Sequence, residues 1–276
     1  MDRIVGKVVL VTGASSGIGK ATSELLMNNG CRVYGTSRKP QDQELKKAAA
    51  GEGFLKMLQM DVCSEESVEA ALKILLENEG RLDIVINNAG NGIAGSVEDL
   101  SPSEAYFQFN TNFFGMHRVC RRVIPVMREQ GSGLIINISS VAAQFAIPFQ
   151  SMYSGSKAAV EAVSEAMRIE VAPFGVKVVA VEPGDVKTGF TDSRRFAEAS
   201  GEGSVYADRF KKSVGVMIHD ETNGPEPIVI AKEVLRLSRM KNPPVRTTVG
   251  FQYKLFIFLK RFLPLRFAVY IVSKMY

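Results

Sequence analysis

A short apolar run that leads straight into a glycine-rich turn sets the expected architecture. Val8–Val11 is wholly apolar and rich in valine, which is typical of a strand buried on both faces of a parallel sheet. The turn GASSGIG follows at residues 13–19, and a helical pattern then continues to about Asn29, where Gly30 is placed to end it. A strand, a glycine turn and a helix N-terminus in this order place backbone N–H groups where a pyrophosphate could bind.

The glycine spacing G-x-x-x-G-x-G is one residue wider at its front than the usual dinucleotide fingerprint. A turn of this kind often does no more than connect a strand to a helix. Its position after a buried first strand favours nucleotide binding over that alternative.

Strand and helix patterns alternate along most of the chain, and no linker-like break interrupts them. Six strands are predicted, at residues 8–11, 32–36, 54–60, 82–86, 133–138 and 177–181. Long helices are predicted at residues 64–79, 101–127 and 151–172, the second opening on the capping box Ser101-Pro102-Ser103-Glu104. This alternation predicts a single α/β domain with a doubly wound parallel sheet.

Ligands in a doubly wound sheet bind beyond the carboxyl ends of the strands. Six polar or glycine residues fall at the carboxyl ends of the predicted strands, so one crevice is expected to collect them. They are Gly13, Ser37, Asp61, Asn88, Ser140 and Gly184.

A tyrosine and a lysine stand four residues apart in the helix predicted at 151–172. Residues four apart share a helix face, so Lys157 is expected beside the Tyr153 phenol, where its ammonium group would lower the tyrosine pKa. The spacing alone is not distinctive, because Tyr270 and Lys274 repeat it. Only Tyr153 has a serine, Ser140, upstream at the end of an apolar strand. We therefore expect Tyr153 to act as a general acid and base.

The second strand ends at Ser37-Arg38-Lys39, where an NAD site would carry a carboxylate for the ribose hydroxyls. The chain offers none before Asp42. Ser37 and Arg38 could instead bind a 2′-phosphate, so the sequence favours NADP(H). The alternative is a solvated turn that happens to be basic.

Composition argues against several other classes. The net charge is +5, from 34 basic and 29 acidic residues that are mostly scattered, so nucleic-acid binding is not expected. Three cysteines far apart suggest neither disulfides nor a metal cluster, and the two histidines have no ligand-spaced neighbours. The N-terminal apolar run is too short for a signal peptide, and we expect a cytoplasmic protein.

Six motifs together resemble the short-chain dehydrogenase/reductase family, in its order and with its spacings. They are residues 12–19, residues 87–90, Asn112, Ser140, Tyr153-x-x-x-Lys157 and Pro183-Gly184. The resemblance is close over about residues 5–190. It implies a Rossmann-type sheet of about seven strands with helices on both faces, a nicotinamide cofactor, and hydride transfer between a carbonyl and a secondary alcohol.

Carried over position by position, the resemblance assigns four catalytic residues. Tyr153 would exchange the proton with the substrate oxygen, and Ser140 would hydrogen-bond that oxygen. Lys157 would hold the nicotinamide ribose, and Asn112 would anchor a water that relays protons to Lys157. Asn112 could instead be a helix residue bonded to backbone.

The resemblance also implies a set of cofactor-binding residues. Besides Tyr153 and Lys157 these are Gly13, Ser15, Ser16, Gly17, Ile18, Gly19, Ser37, Arg38, Asp61, Val62, Asn88, Ala89, Gly90, Pro183, Gly184, Val186 and Thr188. Asp61 and Val62 would contact the adenine, and Val186 and Thr188 the carboxamide. Asn88 could instead mainly brace the strand ends.

Two segments differ in character from the rest. Residues 188–227 mix large apolar residues with charges and resemble the family's substrate lid, which suggests a bulky lipophilic substrate; the alternative is an amphipathic helix that simply covers the core. Residues 251–276 hold two apolar runs split by basic residues and Pro264, too short for a membrane span. We expect this tail to pack on the protein itself. Peripheral contact with a membrane is the second alternative.

The sequence thus predicts an NADP(H)-dependent oxidoreductase of a bulky alcohol or ketone. The tail, with Phe, Leu and Arg around Pro264, resembles that of the hydroxysteroid and retinol dehydrogenase branch of the family, which implies a hydroxysteroid or bile acid as the first expected substrate. Reduction of 3-oxoacyl thioesters, of retinal or of general carbonyl compounds is the alternative, and a non-catalytic NADP-binding sensor or scaffold is a remote one. By analogy with the family, the helices at 101–127 and 151–172 predict a homodimer or homotetramer.

Overall fold

This computed structural model describes residues 4–40, 45–49 and 51–276, so Asp42 lies outside the described residues. The strands are β1 (Val8–Val11), β2 (Arg32–Ser37), β3 (Lys46–Lys47), β4 (Phe54–Gln59), β5 (Ile84–Asn87), β6 (Ile93–Ala94), β7 (Gly133–Ile138), β8 (Val176–Glu182), β9 (Arg195–Phe196) and β10 (Arg246–Thr248). The helices are α1 (Gly17–Asn28), α2 (Glu65–Glu79), α3 (Pro102–Phe109), α4 (Met116–Glu129), α5 (Ser151–Val171), α6 (Phe190–Ser193), α7 (Ala207–Thr222), α8 (Ile228–Arg239), α9 (Phe251–Lys260) and α10 (Leu265–Met275).

The described strands form one eight-stranded sheet in the order β10-β8-β7-β5-β1-β2-β4-β3, and β6 pairs separately with β9. Every pairing in the large sheet is parallel except that of the two-residue edge strand β3 with β4. β1 lies at the centre, where Val9 pairs with Val33 on one side and Ile84 on the other. The chain reverses its direction of travel across the sheet between β4 and β5, which opens a crevice beside the end of β1.

The sheet has a separate apolar core on each face, which explains the unbroken apolar pattern of its strands. In β1, Val8 and Leu10 belong to one core, and Val9 and Val11 to the other. Successive side chains of a strand point to opposite faces, so both sets must be apolar when helices cover both faces. The predicted doubly wound α/β domain is confirmed.

The helix predicted at 101–127 is interrupted in the structure. Ser101 caps α3, because its hydroxyl accepts from the Glu104 N–H while the Glu104 carboxylate accepts from the Ser101 N–H. A π-helical segment at Asn110–Gly115 then separates α3 from α4. Such wide turns often mark functional positions within helices, and this one carries Asn112.

The segment predicted as a substrate lid is largely ordered structure rather than a loop. It contains α6, β9 and the 16-residue α7, and β9 joins it to the domain by pairing with β6. α7 buries Val214 and Met217, as an amphipathic covering helix would. The lid role stays a prediction.

The C-terminal tail does not pack on the protein as fully as the sequence suggested. Between Phe251 and Met275 only Ala268 is buried. Contact with the domain is limited to a few points, among them Tyr253 against Gly184 and the Lys260 ammonium group, which donates to the Gln144 carbonyl. None of the described helices is both long and apolar enough to cross a bilayer.

Candidate active site

One cavity of about 630 Å³ lies beyond the carboxyl ends of the central strands. Nineteen of the predicted site residues line it: Gly13, Ser15, Ser16, Gly17, Ile18, Ser37, Arg38, Asp61, Val62, Asn88, Ala89, Gly90, Ser140, Tyr153, Lys157, Pro183, Gly184, Val186 and Thr188. Two others, Gly19 and Asn112, do not line it. The motifs that are scattered along the sequence therefore converge on a single crevice.

The glycine turn presents an open helix N-terminus to this cavity. Gly13 and Gly17 have φ angles of 66° and 52°, a region that favours glycine. No side chain caps α1, and its first turn holds no acidic residue. The N–H groups and positive dipole end of α1 are thus placed for an anionic group, which fits a pyrophosphate.

Gly19 stands behind the cavity wall, where it allows α1 to pack closely on the turn. A Cβ at this position would overlap the Gly13 carbonyl oxygen and crowd the Asn88 amide. Asn88 fixes the same turn, because its amide nitrogen donates to the carbonyl oxygens of Thr12 and Gly13 at 3.0 Å each. Its own N–H donates to the Thr12 hydroxyl at 3.0 Å. Bracing of the strand ends is thus one clear task of Asn88, as the alternative interpretation had it.

The end of β2 places Ser37 and Arg38 at the rim of the cavity. Ser37 is partly buried, and its hydroxyl accepts from the Lys39 N–H at 3.3 Å. Arg38 is exposed. Both side chains lie where the adenosine half of a dinucleotide would extend past β2, so they suit a ribose carrying a phosphate.

The phenol of Tyr153 lies near both Ser140 and the ring of Phe190. The centroids of the Tyr153 and Phe190 rings are 5.6 Å apart. Burial raises the pKa of Tyr153 to about 12, and a side-chain hydrogen bond from Ser140 opposes that rise. The serine and the tyrosine hydroxyl are therefore within hydrogen-bond reach, as a shared site for a carbonyl oxygen requires.

The expectation that Lys157 lowers the Tyr153 pKa is wrong for this arrangement. The Lys157 side chain is buried and its Nζ donates to the Ile138 carbonyl at 2.9 Å, while it stands 5.8 Å from the centroid of the Tyr153 ring. Burial lowers the pKa of Lys157 itself to about 8, and the charge of Glu161 opposes that change. Desolvation is thus the largest influence on the pKa of both Tyr153 and Lys157. The four-residue spacing gives no information about burial.

Asn112 is held in the π-helical segment by a network of amides. Its Oδ1 accepts from the Asn91 N–H at 2.9 Å, and its Nδ2 donates to the Asn91 carbonyl at 3.1 Å and to Ser156 Oγ at 3.2 Å. A second cavity of about 10 Å³, roughly the space of one water molecule, lies beside Asn112 and Ile138. The proposed water relay remains a prediction, and the position suits it.

A buried acidic network behind Lys157 was not predicted. The Gln144 amide donates to Glu161 at 2.6 Å and to Glu182 at 2.9 Å, and Ser139 Oγ donates to Glu161 at 2.8 Å. Burial and the neighbouring Glu182 raise the pKa of Glu161 to about 7. One signal was available: Glu161 follows Lys157 by four residues, on the face that carries Tyr153.

A second unpredicted contact comes from the tail. The ring of Tyr253 lies against Gly184, and its hydroxyl pairs with Asp185 on the cavity wall. No sequence pattern links two residues so far apart along the chain. Together these observations describe a site that can bind a dinucleotide along α1 and β2, and exchange a proton with an oxygen at Ser140 and Tyr153.

Residues 4–40, 45–49 and 51–276 contain no group of three or more His, Cys, Asp or Glu side chains placed to hold a metal ion.

Comparison with known proteins gives a consistent result. A family model described as short chain dehydrogenase matches residues 7–199. A 3-ketodihydrosphingosine reductase of Bacteroides thetaiotaomicron is 44% identical over 244 residues, which cover 88% of each chain. Retinol dehydrogenase 8 of Bos taurus is 31% identical over 92% of this chain and 85% of its own.

Solved structures agree with the sequence relatives. The crystal structure of a short-chain dehydrogenase from Streptomyces avermitilis superposes with a TM-score of 0.79, with 31% identity and 93% of both chains covered. The family match spans the glycine turn, the Asn88 segment, Ser140 and the Tyr153–Lys157 pair, which are the residues that build the cavity. The chain belongs to the short-chain dehydrogenase/reductase family, whose members are oxidoreductases that use a nicotinamide cofactor.

Proposed function

We propose that this protein reduces the ketone of a long-chain lipophilic substrate with NADPH, and that a 3-ketodihydrosphingosine-like amino ketone is the first candidate. The observation that carries the reductase assignment is the pairing of Ser140 with the Tyr153 phenol on the wall of the cavity that the glycine turn also lines. The substrate assignment rests on the relative that is 44% identical over nearly the whole chain.

The reaction needs one hydride and one proton at the carbonyl group. A bound nicotinamide would supply the hydride. The hydroxyl groups of Ser140 and Tyr153 would hold the carbonyl oxygen, and Tyr153 would donate its proton as the alkoxide forms. A phenol with a raised pKa is fully protonated at neutral pH, so it stands ready in the acid form. The buried ammonium of Lys157 would hold the nicotinamide ribose, the role that the family resemblance gives it.

Carboxyl groups near Tyr153 support a substrate that carries an ammonium group. Asp185 and Glu221 both line the cavity, and both raise the pKa of Tyr153 through their charge. The guanidinium of Arg194 is fully buried and pairs with Glu221, which offsets one of the two acids. The partner of Asp185 is the Tyr253 hydroxyl, which carries no charge. The carboxyl group of Asp185 would therefore act as the counter-charge for an amine.

A hydroxysteroid or bile acid is the second candidate, and a cluster of aromatic rings favours it. Phe210 of α7 makes edge contacts with Phe149 and Phe196, each at 5.7 Å between centroids. This aromatic cluster offers apolar contact area that would suit a bulky fused-ring substrate.

A 3-oxoacyl thioester is less favoured than either, because its acidic arm would need a basic entrance and the buried Arg194 is paired with Glu221. Arg195 lines the cavity but stacks on the Phe107 ring at 4.2 Å.

NADPH is proposed ahead of NADH because of the end of β2. Ser37 and Arg38 line the cavity there and offer a hydroxyl and a guanidinium group to a 2′-phosphate. None of the cavity-lining residues of that segment is acidic, as an NAD site would require.

A substrate panel assayed with both cofactors tests the proposal. The panel holds 3-ketodihydrosphingosine, its analogue without the amino group, a 3-ketosteroid, retinal and an acetoacetyl thioester, each followed by loss of NADPH or NADH absorbance. We expect the highest kcat/KM for the amino ketone with NADPH. A preference for the steroid would select the second candidate, and no turnover of any ketone would favour a cofactor-binding sensor.

A further inference from the structure

The two C-terminal helices expose an apolar surface that is unusual for a folded domain. Across the described residues 27 large apolar side chains are exposed, and 13 of them lie in the 25 residues from Phe251 to Met275. They are Phe251, Leu255, Phe256, Phe258, Leu259, Phe262, Leu263, Leu265, Phe267, Val269, Tyr270, Ile271 and Met275. Contiguous apolar surface on this scale marks an interaction site rather than ordinary exposure.

The same surface carries charge of one sign. The chain has no Asp or Glu after Glu233, while residues 251–276 contain Lys254, Lys260, Arg261, Arg266 and Lys274. These five cations equal the net charge of the whole chain, so the remaining residues balance one another. The basic character of the protein is therefore concentrated on the apolar tail.

The dimensions of the tail match a surface-lying segment. α9 has 10 residues and α10 has 11, which at 1.5 Å per residue gives roughly 15 Å each, about half of the hydrocarbon thickness of a bilayer. Pro264 separates the two helices, so they cannot join into one span. Short apolar helices with basic residues at their edges lie in the plane of a lipid surface.

The tail is anchored beside the entrance of the active site. Tyr253 of α9 contacts Gly184 and Asp185 on the cavity wall. At the other end, burial and the charges of Asp185 and Asp220 raise the pKa of the Tyr276 phenol. A surface that binds α9 and α10 would hold the cavity next to it.

We propose that α9 and α10 form a docking surface for a bilayer that contains anionic phospholipid. The apolar side chains enter the acyl boundary, and the exposed cations of the tail meet the lipid phosphates, while Lys260 holds α9 to the Gln144 carbonyl. A second copy of the chain fits less well, because a two-fold contact would place this cationic patch against itself. Docking would deliver a lipid-dissolved ketone to the cavity directly. The inference itself does not depend on which ketone is reduced.

Vesicle flotation with the full chain tests this proposal without substrate or cofactor, so its outcome is independent of the proposed activity. Two vesicle types are compared: phosphatidylcholine alone, and phosphatidylcholine mixed with phosphatidylglycerol. We expect binding to the mixed vesicles that weakens with added salt. Replacing Arg261 and Arg266 together by Gln should lower the affinity about fivefold for each cation.

The apolar contribution is tested with Phe262→Ser and Leu265→Ser together, two residues that are 72% and 71% exposed. We expect a loss of at least about tenfold in vesicle affinity. The matched control is Val97→Ser with Val205→Ser, which removes apolar side chains that are 66% and 88% exposed on other parts of the domain. Circular dichroism and melting curves establish that each variant is folded.

Three results would overturn the proposal. The first is wild-type protein that stays off the mixed vesicles. The second is an equal loss of binding in the tail variant and in its control. The third is a dimer, seen by light scattering, that dissociates in the Phe262→Ser, Leu265→Ser variant while vesicle binding is absent, because that result would assign the surface to a second copy.

Discussion

The ring of Tyr253 in helix α9 lies directly against Gly184, at the point where the chain passes from β8 over the cavity. The Tyr253 hydroxyl accepts from the Asp185 N–H at 3.1 Å and donates to the Asp185 carboxylate. A Cβ on Gly184 would overlap the tyrosine ring. The tail thus packs directly against the loop that is expected over the nicotinamide. A substitution in either segment should therefore alter the position of the other.

Substitution of Gly184 by Ala should therefore act through Tyr253. We expect the free energy of unfolding to fall by about 1–3 kcal/mol, as overpacking usually costs, and cofactor affinity to fall with it. In a Tyr253→Ala background the same substitution should cost much less, because the overlapping ring is gone. Denaturant melts and cofactor titrations of the four proteins measure the coupling. Gly201→Ala is the control, since nothing lies within 4 Å of its Cβ position. Additive effects would show that the ring does not limit residue 184.

Tyr153→Phe tests the proton donor. The variant keeps the ring contact with Phe190 but loses the hydroxyl beside Ser140. We expect kcat for ketone reduction to fall by about 10²–10⁴-fold and NADPH affinity to stay nearly unchanged. Tyr270→Phe is a matched control, because Tyr270 also has a lysine four residues on, with Lys274 Nζ at 5.4 Å from its ring. Wild-type turnover in Tyr153→Phe, with a water-soluble ketone as substrate, would remove the tyrosine from the mechanism.

Arg38→Asp tests the choice of cofactor. A guanidinium group attracts a 2′-phosphate and a carboxylate repels it while accepting hydrogen bonds from ribose hydroxyls, so preference should move from NADPH towards NADH. The ratio of kcat/KM for the two cofactors is the measurement, and we expect it to change by about a hundredfold or more. Lys39→Asp makes the same charge change at a neighbour that does not line the cavity. An equal effect at both positions would mean that general charge, rather than contact with Arg38, sets the preference.

Most of the sheet could be predicted from the sequence, because buried parallel strands leave a strong local signal. β1 and β7 begin and end at the predicted residues, and α2 begins one residue after its predicted start, Ser64, which is its cap. β10 was not predicted, because three residues without a continuous apolar run carry no such signal. The π-helical segment at Asn110–Gly115 was missed for a different reason: its wide turn depends on contacts of Asn112 with Asn91 and Ser156, which are distant in sequence.

Most of the predicted site residues line one cavity, whereas the electrostatics of the site differ from the prediction. Motif spacing is sufficient to bring Gly17, Ser140 and Tyr153 to one sheet edge, because the topology does so for any sequence with this alternation. The pKa values depend on burial instead. Lys157 lies close to the Tyr153 ring, yet its Nζ turns to the Ile138 carbonyl and the phenol pKa rises. Desolvation is a property of the assembled fold, so residue spacing alone gives the wrong sign.

The buried pair of Glu161 and Glu182 makes a prediction about pH. Burial and the charge of Glu182 raise the pKa of Glu161 from 4.5 in its ordinary state to about 7 in the fold. Below about pH 4.5 the carboxyl group is protonated in both the folded and the unfolded chain, and its contribution to stability is fully present. Between pH 4.5 and 7 the unfolded chain loses this proton while the folded chain keeps it, so the free energy of unfolding should fall as pH rises.

Glu161→Gln removes this titration while keeping the size of the side chain and an oxygen that can accept from Ser139. The difference in free energy of unfolding, wild type minus variant, should therefore decline from about pH 4.5 to about pH 7 and level off above it. Urea melts at a series of pH values measure that difference. Glu165→Gln, one turn further along α5 and partly exposed, is the control and should show a flatter profile. A difference for Glu161→Gln that rises with pH, or that does not vary, would show that the carboxyl group is ionised in the folded protein, with Arg246 as its counter-ion.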